Sequence, residues 1–115
     1  MTTGTILAQL RQEKGIGQKE LAACLQVSIG TISNYENNVH SPDLATLCRL
    51  ADYFDVTTDY LLGRTAYRGN PRILNQPISD EYTVTDIINT VLTFDSSTVN
   101  HLIEYAKFLQ ARLPH

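Results

Sequence analysis

The chain has 115 residues, 43% of them hydrophobic, with nine Lys and Arg against twelve Asp and Glu, a net charge of −3 at pH 7. That length suits one small domain plus a short accessory element, and the acidic balance excludes a strong generic nucleic-acid binder working by bulk charge. No apolar run approaches the roughly 20 residues that span a bilayer and no charged-then-apolar leader opens the chain, so it reads as soluble and cytoplasmic.

Apolar spacing predicts a first helix over residues 5–14, with Ile6, Leu7 and Leu10 inward and Gly15 as a left-handed end. Gly17 opens a second helix ending near Leu25, with Ile16 and Leu21 placed as a hydrophobic staple. Ser28 caps a third helix running to about Asn37. A fourth starts from Ser41 as cap with Pro42 in its first turn, and its buried stripe is Leu44, Leu47, Leu50, Ala51 and Phe54. A short fifth helix over residues 58–62 closes at Gly63. Cys24 and Cys48, set among apolar neighbours, read as buried free thiols, and no histidine stands near them at metal-ligand spacing.

Residues 64–78 contain one Gly, two Pro and three Arg (Arg64, Arg68, Arg72) without apolar periodicity and read as a linker. Beyond it, residues 79–94 carry Val84, Ile87, Ile88, Val91 and Leu92 at helical spacing. Ser96 or Ser97 then caps a last helix holding Val99, Leu102, Ile103, Ala106, Leu109 and Leu113. A hairpin of this size, residues 79–115, cannot bury enough apolar area to stand alone. Tyr105 and Phe108 widen its apolar surface beyond what one partner helix covers. The covering surface is a second copy, the N-terminal domain or another protein, and a homodimer through residues 80–113 is the favoured reading.

The segment QKELAACLQVSIGTISNYEN, residues 18–37, reads as two short helices joined by a tight turn, buried on one side and polar on the other. Together with ILAQLRQEKG before it and with Ser41-Pro-Asp-Leu and TTDYLLG after it, it resembles the Cro and phage-repressor (XRE) family of helix-turn-helix regulators over residues 5–63. The resemblance implies an all-α fold: a five-helix repressor-like DNA-binding domain over residues 1–63, joined by the linker to the C-terminal helical hairpin. It implies base reading in the major groove by the third helix, through Ser28, Ile29, Gly30, Thr31, Ser33 and Asn34. Asn34 is the strongest candidate, because an amide pairs bidentately with adenine, while Ile29 or the Thr31 methyl suits a thymine methyl. Gln18 matches a phosphate-contacting position at the start of the second helix, with Lys19 and Asn37 as companions. Arg11 and Glu36 match a structural ion pair.

Four positions depart from the family pattern. Gln26 occupies a turn position usually held by Gly, Gly30 contributes no reading side chain, and Asn38 and Val39 stand where many relatives have Gly and a basic residue. Residues 1–63 hold four basic residues (Arg11, Lys14, Lys19, Arg49) against seven acidic ones (Glu13, Glu20, Glu36, Asp43, Asp52, Asp55, Asp59). DNA affinity is therefore expected to be modest, unless the linker arginines reach the backbone.

The resulting expectation is a sequence-specific transcriptional regulator, in particular a repressor that binds an inverted-repeat operator as a dimer. The alternative is an antitoxin or adaptor that acts mainly through a protein partner, such as an antagonist at the hairpin. An enzyme is not indicated: His40, His101 and His115 are scattered, no glycine-rich phosphate loop follows a strand, and no cofactor or metal is implied.

Overall fold

The computed structural model describes residues 1–69 and 71–114, and it divides into two compact units, Met1–Pro71 and Arg72–His115. His115, at the end of the expected hairpin, and Asn70, inside the expected linker, lie outside the described residues. The fold is all-α, as the periodicity predicts, and among the described residues the one β feature is an isolated antiparallel bridge between Pro77 and Thr83. Among the described residues no helix is long and apolar enough to cross a membrane.

The first unit holds α1 (Thr3–Glu13), α2 (Gln18–Leu25), α3 (Ile29–Glu36), α4 (Leu44–Phe54) and α5 (Thr58–Leu61). Its largest fully buried side chains are Leu7, Leu21, Ile32, Leu50 and Leu61, one from each helix. Burying such a side chain contributes about 1.5–3 kcal/mol, so every helix is held by the same core rather than by its own propensity. Ile6, Leu10, Ala22, Leu25, Leu47, Ala51 and Val56 complete the cluster, and Ile16, Val27, Tyr35 and Phe54 pack against it.

All five helices end in the same way. The residues just past them, Gly15, Gln26, Asn38, Asp55 and Gly63, have φ of 73°, 57°, 60°, 54° and 75°. In each case two backbone bonds close the end; after α2 they run from Gln26 N to Ala23 O (3.2 Å) and from Val27 N to Ala22 O (3.0 Å). This is the Schellman arrangement, which satisfies otherwise orphaned carbonyls and reverses the chain within two or three residues.

Some expectations are corrected. The cap of α4 is Asp43, whose Oδ1 accepts from Thr46 N at 2.7 Å, and not Ser41. The helix thus starts later, and Leu44, expected in the buried stripe, sits on the outer side of its first turn with 82% of its surface exposed. Cys24 and Cys48 are exposed rather than buried, because the inward face of α2 is Leu21, Ala22 and Leu25 and that of α4 is Leu47, Leu50 and Ala51. Adjacent helical positions are turned about 100° apart, which carries Cys48 away from the core that Leu47 enters.

Residues 64–69, expected as linker, lie on the first unit. Arg64 N donates to Asp59 O (2.9 Å). The Arg68 guanidinium pairs with the Glu13 carboxylate and stands over the Tyr60 ring at 5.2 Å. A 3-10 turn at Pro71–Asn75 bridges the boundary, and the second unit continues through α6 (Val84–Val91) and α7 (Ser96–Ala111). The expected helix over residues 79–94 is shortened at its start by a capping box in which Thr83 and Asp86 serve each other's backbone amides. The cap of α7 is Asp95, accepting from Thr98 N, in place of Ser96 or Ser97. Neither helix buries a residue, and Leu92, Tyr105, Phe108 and Leu113 are each more than half exposed.

Three capping carboxyls titrate low. Hydrogen bonds from Thr46 hold Asp43 below the usual carboxylate range, the Thr83 backbone amide does the same for Asp86, and the Thr98 amide for Asp95. A carboxyl with a depressed folded-state pKa stabilises fully above its unfolded value of about 3.9, and that stabilisation is lost as pH falls through the lower folded value. Far-ultraviolet circular dichroism is therefore expected to lose helix signal below about pH 4. Asp95→Asn, which keeps a good cap but cannot titrate, is expected to flatten that acid limb.

Candidate nucleic-acid interface

The left-handed turn at Gln26 sends the chain from α2 into α3 with only residues 26–28 between them. Ser28 Oγ accepts from Thr31 N at 3.0 Å, as its capping position requires. Ile32 is then buried and Tyr35 packs on the core, which turns the remaining positions of α3 outward. Ser28, Ile29, Gly30 and Asn37 are exposed, and Thr31, Ser33 and Asn34 are half-buried. The seven residues that sequence spacing singled out on this helix thus form one continuous polar face.

Their side chains are committed to different degrees. Ser28 Oγ and Thr31 Oγ1 lie 2.8 Å apart, and Asn37 Nδ2 donates to Ser33 Oγ at 3.3 Å. The half-buried Asn34 side chain makes no hydrogen bond among the described residues, so neither half of its amide is spent within the fold. A Cβ built at Gly30 would meet only Ser28 Oγ, at 3.8 Å, so packing within the chain does not demand glycine there.

The orientation of α3 is set by Glu36. Its carboxylate accepts Arg11 Nε at 2.7 Å and Arg11 Nη2 at 3.1 Å, while Arg11 Nη1 donates to Ile16 O at 2.9 Å. Only 15% of the Arg11 side chain and 7% of the Glu36 side chain are exposed. The hydrogen bond to Glu36 raises the Arg11 pKa, fixing an already permanent charge. The ion pair implied by the resemblance is therefore present, and Gln18 joins it, donating from Nε2 to Glu36 Oε1 at 3.1 Å. Gln18 thus stands at the start of α2 with one amide hydrogen spent on Glu36.

Positive charge on this face is sparse. Lys14 Nζ donates to Tyr53 O at 3.2 Å and lies 4.0 Å from the centre of that ring. Arg49 donates to Leu25 O at 2.9 Å, closing the end of α2. Of the four basic residues in the first 63, Lys19 alone makes no ion pair or hydrogen bond among the described residues. Of the expected linker cations, Arg64 lies 4.0 Å from Asp59 and Arg68 is held by Glu13.

Two contributors were not read as contacts from the sequence: Gly4 was not singled out, and Asn38 was noted only as a departure from the family pattern. A Cβ on Gly4 would come within 2.4 Å of Tyr35 O and 2.6 Å of Glu36 O, so the N-terminal turn of α1 abuts the end of α3 with no room for a side chain. Asn38 accepts from Gly4 N at 3.2 Å and donates to Thr2 Oγ1 at 3.0 Å. The Asn-Asn pair after α3 carried the signal, since Asn is the commonest non-glycine residue in the left-handed region. No group of metal-ligating side chains occurs among the described residues.

Residues 7–61 match the helix-turn-helix family HTH_3. The chain is 37% identical over 82 residues to the HTH-type transcriptional regulator ImmR of Bacillus subtilis (strain 168), a match covering 70% of this chain and 65% of that protein. It is 36% identical over 75 residues to the SPbeta prophage-derived uncharacterized HTH-type transcriptional regulator YonR of the same strain, covering 64% of this chain and 69% of that protein. The chain thus spans just under two thirds of the length of ImmR. A solved transcriptional regulator from Listeria innocua shares the fold, with a TM-score of 0.54 at 19% identity over 99% of this chain and 97% of that one.

Breaking the pair at Glu36 leaves the Arg11 charge half-compensated in a poorly solvated place. Glu36→Ala is expected to cost about 3 kcal/mol, read as a lower urea midpoint with an unchanged slope. Gly30→Ala is expected to stabilise the fold by about 0.5 kcal/mol in the same measurement, because the methyl enters open space on a helix.

Proposed function

Because this chain belongs to the XRE-type helix-turn-helix (HTH_3) family of transcriptional regulators, we propose that it is a sequence-specific repressor that binds an inverted-repeat operator as a dimer, with α3 in the major groove. The observation that carries the reading is the outward face of α3, where Asn34 keeps its whole amide available on a helix held rigidly from behind. In this reading Ser28, Ile29, Gly30, Thr31, Ser33 and Asn34 meet base edges. The Asn34 amide pairs with adenine, and Ile29 or the Thr31 methyl rests on a thymine methyl.

Gln18, Lys19 and Asn37 meet phosphates on either side, the first two aided by the amides at the start of α2. The hairpin supplies the dimer through residues 80–113. Its helices bury none of their residues, and its exposed Leu92, Tyr105, Phe108 and Leu113 require a cover that a second, identical hairpin provides. Two recognition helices then meet half-sites one helical turn, about 34 Å, apart. The same exposed surface favours a second reading, an antitoxin or adaptor whose main partner or antagonist covers the hairpin while DNA binding is weak.

Selection from a random duplex pool with the purified chain separates the two. The repressor reading expects an enriched inverted repeat, weakened about 5- to 150-fold by Asn34→Ala, equivalent to about 1–3 kcal/mol. With Lys19 the one basic residue of the first 63 that makes no ion pair or hydrogen bond among the described residues, the slope of log affinity against log salt is expected to be shallow, about −2 for a dimer. No enrichment, together with a tightly co-purifying protein, points to the adaptor. Phe108→Asp is expected to convert the dimer to monomer in sedimentation and to lower operator affinity while leaving the thermal stability of the first unit unchanged.

A further inference from the structure

Resting on the operator-binding reading, we propose that Asn38 is a positioning residue for sequence recognition: it mounts the C-terminal end of the recognition helix on the start of α1, and sequence discrimination depends on that second mount. Asn38 has φ +60°, a conformation that glycine adopts without strain. An asparagine there costs backbone energy, and its side chain gives a return that glycine cannot. Oδ1 takes the Gly4 amide, and Nδ2 reaches Thr2 Oγ1, the atom that also accepts from Thr5 N at 3.2 Å as the cap of α1.

The geometry explains why a second mount matters. Arg11 and Glu36 fix α3 to α1 at one point. Residues 2–4 lie seven to nine positions earlier on α1, about 10–13 Å away along its axis. At the end of α3 the two ties sit only two positions apart, at Glu36 and Asn38, but they reach opposite ends of α1, so together they fix the direction in which the end of α3 crosses that helix. The mount is also continuous with the reading face. Asn34 O accepts from Val39 N at 2.9 Å and from His40 N at 3.3 Å, and Asn38 N donates to Tyr35 O at 3.2 Å, so the turn that Asn38 anchors is tied to the backbone of the strongest candidate reader. The Gly4 contact leaves no slack between the two helices.

The test uses the full chain and the operator recovered by selection. The readout is the ratio of affinities for that operator and for single-base variants, measured well below the unfolding temperature of every protein used. Asn38→Gly keeps the left-handed backbone and deletes the side chain; it is expected to reduce the ratio at least threefold while leaving low-salt binding to unrelated duplex unchanged. Thr2→Ala cuts the tie from the other end without touching the turn and is expected to move the ratio in the same direction. A residue that only stabilised the fold would leave the ratio of a folded protein unmoved. If the unsubstituted chain discriminates and both variants match it, the proposal is overturned and the operator reading stands. If the unsubstituted chain discriminates no sequence, both are overturned.

Discussion

A single carboxylate, that of Glu36, organises the first unit. It takes two donors from Arg11 on α1 and one from Gln18 on α2, and Arg11 in turn serves the Ile16 carbonyl in the turn between them. Three helices are thus referred to one point at the end of α3. A buried ion pair adds little net stability over a well-packed apolar substitute, because desolvation offsets most of the Coulomb attraction. What it adds is direction: the bidentate fork has one good geometry, whereas the apolar contacts of Ile32 and Tyr35 tolerate small rotations. Stability comes from the five large residues meeting in the core, and the aim of the recognition helix comes from the polar group behind it.

The helix ends make that arrangement possible in so few residues. Each of the first five helices stops at a left-handed residue, and in three cases that residue is not glycine. Such a conformation costs roughly 1–2 kcal/mol for an ordinary residue and less for Asn and Asp. Asn38 puts its side chain to use against α1, and the turn at Gln26 makes the two closing bonds that hold α2 and α3 in register. The same economy shows in the cations. Arg11, Lys14, Arg49 and Arg68 all serve as internal fasteners, so a chain that is already net acidic presents little positive charge beside its polar reading face. Recognition on such a surface depends on short-range hydrogen bonds and methyl contacts more than on long-range attraction.

Most of this was legible in the order of residues. The periodicity of Ile6, Leu7, Leu10, Leu21, Leu47 and Leu50, the Ser28 cap, the Gly15 and Gly63 stops and the turn at Gln26 are local features, encoded within a few neighbouring positions, and the structure has them where the spacing puts them. The misplacements were also local. Where Ser41 and Asp43 compete to cap α4, or Asp95 and Ser96 to cap α7, the carboxylate holds the amide, and a shift of two residues is enough to turn Leu44 outward. Cys24 and Cys48 have apolar neighbours in the chain yet stand exposed, because their helical phase turns them away from the core.

By itself, then, the sequence determined the seven α-helices, though not the 3-10 turn at Pro71–Asn75, and it determined the polar face of α3 and the membership of Arg11 and Glu36 in one pair, because each follows from helical phase or from a family pattern. Only the tertiary structure decided what lies far apart in the chain and close in space. It set the contact of Gly4 with the end of α3, the reach of Asn38 to Thr2, the claim of Glu36 on Gln18 and the capture of Arg68 by Glu13. Those pairings are separated by 18 to 55 positions. No local propensity carries them, since they exist only once a common core has brought α1, α2, α3 and α5 together.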